Sequence, residues 1–256
     1  VGLGGRLDAT NIIRPILSVI TNIGLDHIEF LGTSLDMIAT EKGGIIKPGV
    51  PIVIGKKQVE TEVIFTALAK QNRASLFYAE EQAIPSISLD LLGHYQEENK
   101  RTAFVALKQL LGDQLDDNAL EGFSRVVKNT GLRGRWETIG NAPLIIVDVT
   151  HNKEGFEKVI PQLESLEKRR LHIVLGFVKG KAMEEIFALL PKKAIYYLSA
   201  PAIARAIPVS KIAVLAKKNG LAALIFPTVL EATNAAKSAA MEEDVVYVGG
   251  STFVVA

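Results

Sequence analysis

From Pro143 to the end of the chain, short apolar runs rich in β-branched and aromatic residues alternate with helix-length segments almost without interruption. Residues 144–148, 172–176, 194–199, 222–226 and 244–249 read as strands, and residues 154–168, 183–190, 209–218 and 229–241 read as helices. Strands that are nearly continuous in apolar residues, and separated by helices of this length, bury both faces only in a mostly parallel sheet covered by helices on each side. The expected fold class is therefore α/β, with a Rossmann-like domain over residues 143–256. The Gly-x-Gly-x-x-Gly turn that would cradle a dinucleotide is missing, which disfavours a nicotinamide-dependent dehydrogenase.

The first half is organised differently. Residues 16–21 and 50–54 read as buried strands, with a helix between them that Ser34 can cap and that ends near Gly43-Gly44. Residues 59–73, 95–111 and 116–127 follow as helices, with a short strand at 76–78. The segment 129–135 is rich in glycine and arginine and has no periodicity, which suits an interdomain hinge. The expected division is thus residues 1–131, a hinge at 132–142, and residues 143–256.

With 256 residues, 48% of them hydrophobic, the chain can build one or two cores. It has no cysteine, which excludes a disulfide scaffold and any thiolate zinc site. A net charge of +1 provides no general field for nucleic acid or an anionic membrane, and no run of about 20 apolar residues is present to span a bilayer. These features lead us to expect a cytoplasmic enzyme, monomeric, with small-molecule partners rather than nucleic acid or membrane. The chain opens with Val1 inside a glycine-rich turn rather than before a strand, so it reads as a fragment.

Chemistry concentrates where the first strand empties into Asn22, Asp26 and His27, since an α/β sheet collects ligands beyond the carboxyl ends of its strands. Arg6, Asp8 and Asn11 form a polar cluster just before that strand, and Lys42 ends the helix after it. On the residues alone, His27 is an ordinary strand-end histidine, Lys42 a solvated charge, and Asp8 a turn former that bonds its own backbone.

The block Arg6-Leu-Asp8-Ala-Thr-Asn11, followed by Leu25-Asp26-His27 and Glu41-Lys42-x-Gly44-Ile45, resembles the folylpolyglutamate synthase/dihydrofolate synthase family of the Mur ligase superfamily. The resemblance implies that residues 1–131 are the later part of a Mur-type ATP-binding domain, whose P-loop and one acidic magnesium ligand lie upstream of Val1. It implies an ATP-dependent ligase that adds L-glutamate to a folate or dihydropteroate carboxylate through an acyl phosphate, with ATP and Mg2+ as cofactors. It makes His27 a magnesium ligand and Lys42 a carbamylated lysine that helps hold a second metal. Lys42, Asp8 and His151 are the expected catalytic residues, and without a P-loop the fragment is expected to be inactive alone.

Three further motifs carry the resemblance onward. Leu92-Gly93-His94-Tyr95-Gln96-Glu97-Glu98-Asn99 is similar to a Gly-x-His-Gln-x-x-Asn element, with Tyr95 in the histidine position and Asn99 expected to bind nucleotide. Arg133-Gly134-Arg135-Trp136-Glu137 resembles a Pro-Gly-Arg-x-Glu link in which Arg135 reaches phosphate, although Arg133 supplies a competing cation. Asp148-Val-Thr150-His151-Asn152 resembles Asp-x-Ala-His-Asn, making Asp148 and His151 expected cofactor-binding residues facing an interdomain cleft. In the alternative, His151 caps the next helix and Asp148 bonds the loop backbone.

Where the family has a Gly…Asp-Lys-Asp element, this chain has Gly176-Phe-Val-Lys179-Gly180-Lys181, without either acid. Arg205-Ala206 and residues 247–253 also resemble family positions, and His172 reads as structural. A ligase acting on a cell-wall precursor and a non-catalytic binding module that retains the fold stay open as alternatives.

Overall fold

The structure is a computed structural model that describes residues 3–25, 28–180 and 183–256. His27 and Lys181 therefore lie outside the described residues. The chain divides into two compact units, Val1–Asp90 with Gln96–Val126 and Leu91–Tyr95 with Val127–Ala256. No helix among the described residues is long and apolar enough to cross a membrane.

In the first unit, β1 (Ser18–Ile20) leads through α1 (Ile28–Leu31) and α2 (Leu35–Gly43) to β2 (Ile52–Ile54), and α3 (Val59–Gln71) leads to β3 (Leu76–Tyr78). The three strands form a parallel sheet in sequence order. Period-two alternation sends Ile52 and Ile54 into a core with Ile38 of α2 and Phe65 of α3, while Val53 faces Phe104 and Val105 of α4 (Gln96–Leu111). β1 starts later than the expected residue 16 because Ile16 is 82% exposed and the ladder begins at Ser18. Ser34 stands at the N-cap of α2, but its hydroxyl bonds the Asp36 carboxyl, holding it below its ordinary value, rather than a helix N–H.

Residues 116–127, expected as one helix, form α5 (Asp117–Glu121), a 3-10 turn (Gly122–Arg125) and the start of α6 (Val126–Thr130). Asp116 caps α5 by accepting from the Ala119 N–H at 2.9 Å, as a helix start requires. The break falls at Gly122, where a glycine costs a helix interior roughly 1 kcal/mol relative to alanine, and it turns the ring of Phe123 into the core.

The second unit carries β4 (Glu137–Asn141), β5 (Leu144–Val147), α7 (Lys153–Ser165), β6 (Leu171–Leu175), α8 (Met183–Leu189), β7 (Ile195–Leu198), α9 (Val209–Lys218), β8 (Ala222–Ile225), α10 (Val229–Ala239), β9 (Val245–Gly249) and α11 (Thr252–Val255). They build a six-stranded sheet, β4-β5-β9-β6-β7-β8, parallel throughout except for the edge strand β4. Residues 137–141, read from sequence as hinge, are thus an antiparallel partner of β5. Alternate residues sort to the two faces. Ile146, Ile173, Leu175, Tyr196 and Tyr247 pack with α7, α8 and α9, while Val147, Val174, Tyr197 and Val248 pack with Ala232 and Ala236 of α10.

At the amino ends of β6 and β9 a buried polar network replaces apolar packing. Asp244 Oδ2 accepts from Arg169 Nη2 at 2.7 Å, from the Met241 N–H at 2.8 Å and from His172 Nε2 at 3.3 Å, and His172 Nδ1 lies 2.9 Å from the Tyr197 hydroxyl. This confirms His172, 1% exposed, as structural. Burial works to raise the Asp244 carboxyl, but the bonds from Met241, Arg169 and His172 outweigh it and hold the group down at about 2. A carboxyl depressed in this way contributes stability that is complete above its ordinary 3.8 and is lost as pH falls through about 2. Chemical denaturation of the Asp244→Asn variant should therefore show a flatter dependence of stability on pH than the parent between those two values.

Candidate functional site

The carboxyl ends of β5, β9 and β6 meet in the second unit with their connections diverging. β5 leads to α7 on one face of the sheet, while β9 leads to α11, whose Val254 belongs to the core on the other face. Such a switch of direction between neighbouring parallel strands opens a crevice at their carboxyl ends, where α/β proteins take ligands.

Asp148 directly follows β5 and is 1% exposed. Its Oδ2 accepts from the Tyr95 hydroxyl at 2.7 Å and the Trp136 N–H at 2.6 Å, and its Oδ1 accepts from the Thr150 N–H at 2.8 Å and from the Thr150 hydroxyl. Asp148 therefore bonds the loop backbone, as the second sequence reading had it, and both of its oxygens are taken by the protein's own donors. Trp136 is held at φ 51°, a left-handed conformation that costs a bulky residue about 1–2 kcal/mol, and its buried ring and its bond to Asp148 fix it there.

His151 does not cap α7. Asn152 does, accepting from the Gly155 N–H at 3.0 Å. The His151 ring is half-buried, and its Nδ1–H donates to the Val149 carbonyl at 3.0 Å, which in the neutral ring leaves the lone pair on Nε2. Across the crevice the Gly250 N–H donates to the Thr150 carbonyl at 3.0 Å. Gly250 has φ 96°, and a Cβ there would fall 2.5 Å from the Gly176 carbonyl oxygen, so only glycine lets the three loops close up. Tyr247 is fully buried beside them, and burial together with the Asp148 charge pushes its phenol upward.

The two arginines of the 133–137 segment are in different states. Arg133 pairs with Glu137, whose other oxygen accepts from the Gly134 N–H at 2.8 Å, so the competing cation is neutralised. Arg135 is half-buried, and its guanidinium donates to the Gly134 carbonyl at 3.3 Å. Lys179 is exposed, and its N–H donates to the Arg205 carbonyl at 3.0 Å, while the Arg205 guanidinium lies 4.7 Å from the Phe253 ring centroid.

In the first unit, residues 3–11 latch onto the end of α2. The Arg6 N–H donates to the Glu41 carbonyl at 2.8 Å, and its guanidinium bonds the Glu41 carboxylate at 2.9 Å. A Cβ on Gly5 would fall 2.7 Å from that same carbonyl oxygen, so the approach depends on glycine. Asp8 accepts from the N–H groups of Thr10 and Leu3 at 2.9 and 3.1 Å, and so caps the turn Ala9–Ile12. Asn11 donates to the Arg6 and Gly44 carbonyls. A cleft of about 350 Å³ opens here, walled by Leu3, Leu7, Phe30 and Leu31 and edged by Asp8 and Glu41. Lys42 is half-buried in the last turn of α2, where the helix dipole favours a cation. Asn99 is exposed on α4 and donates to Gln96 at 2.8 Å.

Two glutamines escaped the sequence reading. Gln58 bonds both the N–H and the carbonyl of Ile23 at 2.9 Å, pinning the loop after β1, and Gln162 bonds the His94 N–H at 2.7 Å and the Leu92 carbonyl at 2.9 Å. Each is a side chain mimicking a strand partner, which local patterning does not reveal.

Comparison with known proteins agrees with this architecture. The family described as Mur ligase, glutamate ligase domain matches residues 134–252. The dihydrofolate synthase/folylpolyglutamate synthase of Buchnera aphidicola subsp. Schizaphis graminum is 34% identical, with 100% of this chain and 63% of that protein covered. The structure titled as E. coli FolC in complex with DHPP and ADP superposes with a TM-score of 0.87 at 28% identity, covering 100% of this chain and 63% of that one. Mycobacterium tuberculosis folylpolyglutamate synthase complexed with ADP gives 0.88 at 26% identity, covering 100% and 65%. The chain thus spans less than two thirds of the length of these relatives. Residues 134–252 are thus similar to the Mur ligase, glutamate ligase domain, within a chain similar over its whole length to folylpolyglutamate and dihydrofolate synthases.

Proposed function

We propose that this chain is the glutamate-ligase domain, with the adjoining part of the ATP-binding domain, of an ATP-dependent ligase that joins L-glutamate to a folate or dihydropteroate carboxylate. The observation that carries this reading is the similarity along all of the chain to relatives named as these synthases, two of them solved with ADP. A carboxylate becomes electrophilic when it is phosphorylated, and the glutamate amine then displaces phosphate from the acyl phosphate. The proteins' task is mainly positioning and charge stabilisation.

Each unit contributes its own groups to that task. Arg135 supplies a planar guanidinium for phosphate oxygens, whereas Arg133 is committed to Glu137. His151 follows β5 at the crevice with its Nδ1–H held by Val149, and Asn99 offers an exposed amide to nucleotide. The cleft beside Asp8 has apolar walls that suit an aromatic heterocycle. Among the described residues no three His, Cys, Asp or Glu side chains gather to hold a metal, and Mg2+ is assigned to His27 and Lys42 by the resemblance alone.

Three measurements test this reading. With ATP, L-glutamate and a folate acceptor, the 256-residue chain should release no phosphate, and a protein extended by the P-loop region should release ADP and glutamylated product; turnover with a muramoyl acceptor instead would refute the folate assignment. In calorimetric titrations with ATP, Arg135→Ala should weaken binding about tenfold and Arg133→Ala by less than about threefold, since only the former removes an uncommitted charge-assisted donor. Finally, 13C NMR in labelled bicarbonate should show a carbamate resonance that disappears in Lys42→Ala.

A further inference from the structure

We propose that Glu137 decides which arginine of the 133–137 segment is left for phosphate: it ties down Arg133 and fixes the peptide from which Arg135 extends, and so is the positioning residue for Arg135. This rests on Arg135 as the phosphate donor of the ligase reading. Two guanidiniums separated by a single glycine are equivalent phosphate donors in their chemistry, both planar and permanently charged. Glu137 makes them unequal. Its Oε1 accepts from Arg133 Nε and its Oε2 from the Gly134 N–H at 2.8 Å, so one carboxylate holds a side chain and the backbone next to it.

The holder is itself fixed, since Glu137 is the first residue of β4 and stands opposite Val147 in the antiparallel ladder. Gly134 is pinned from its other side as well, because its carbonyl accepts from the Val149 N–H at 2.9 Å. It has φ 68°, and a Cβ there would fall 2.9 Å from Val149 Cγ1 and 3.0 Å from Val255 Cγ1, so this seat needs glycine. Arg135 starts from that seat, and its Nη1 donates back to the Gly134 carbonyl at 3.3 Å. A bond of that length to a neutral carbonyl is readily exchanged for a charge-assisted one to a phosphate oxygen, whereas Arg133 would have to abandon a carboxylate. The pair does little for stability, because the Arg133 side chain is 73% exposed. Its effect is to withdraw a second cation that would hold phosphate in a competing position, and position is what a transfer reaction needs from its cations.

Glu137→Gln keeps an acceptor for the Gly134 N–H and removes the charge that commits Arg133. In calorimetric titrations of the 256-residue chain with ATP, Arg133→Ala should weaken binding by less than about threefold in the parent and about tenfold in the Glu137→Gln background, because the released arginine becomes a phosphate donor. A role confined to folding would leave the two ratios alike, and equal ratios overturn the proposal. The unliganded chain gives a second readout. In 1H–15N spectra the Arg133 Nε–H should exchange with water about tenfold faster in Glu137→Gln than in the parent, with the Val174 amide in the centre of β6 unchanged. Exchange at Arg133 that is the same in both proteins, or a rise there that is matched at Val174, also overturns it. ATP binding that is indifferent to Arg135→Ala would sink the ligase reading of this segment instead, and the Nε–H exchange would still decide whether Glu137 holds Arg133.

Discussion

A carboxylate that has left water must be answered by donors, and in the second unit that requirement organises the whole carboxyl edge of the sheet. Asp148 draws the Trp136 backbone, the Thr150 turn and the Tyr95 hydroxyl to one point, 1% exposed. Thr150 in turn presents its carbonyl to Gly250, and Gly250 packs on the Gly176 carbonyl, so the loops after β5, β9 and β6 are stacked through backbone rather than through side chains. The opposite edge of the same sheet repeats the theme with Asp244, where a cation and an imidazole join the donors. The two buried acids differ in what surrounds them. Asp244 has Arg169 as a formal counter-ion, whereas Asp148 accepts from backbone N–H groups and hydroxyls.

The first unit solves a related problem with other means. Its polar block, residues 6–11, is bound to the end of α2 by backbone and side-chain bonds that use up Arg6, Asp8 and Asn11. Those residues therefore shape the cleft more than they decorate it. The apolar walls, Leu3, Leu7, Phe30 and Leu31, are what the latch holds in place.

Much of this was legible from residue patterns, for definite reasons. β5, β6 and β9 are apolar on both faces because both faces are covered, and that doubles the signal. β4 went unread because Glu-Thr-Ile-Gly-Asn on an exposed edge has neither alternation nor apolar content, and it is a strand only because β5 offers it an open ladder. The 116–127 helix failed at Gly122, a break that the polar periodicity around it concealed. For the site, the bonding of Asp148 to its loop backbone was one of the two readings the sequence offered, but its Tyr95 and Trp136 donors were not legible. Its donors sit at residues 95, 136 and 150, and no local window contains them all. The partnership of Arg133 with Glu137, four residues on, was within reach of a reading that asked which of two neighbouring arginines already had an acid.

The assignment of Leu91–Tyr95 to the second unit has a further consequence. The chain enters that unit at residue 91, leaves it at 96 and returns at 127, so the second unit is not a contiguous stretch of sequence. A crossover between homologous genes at the apparent boundary near 126 would pair one parent's tyrosine or histidine with the other parent's loop. A chimaera keeps both hydroxyl partners of Asp148 only when residues 95 and 150 are exchanged together.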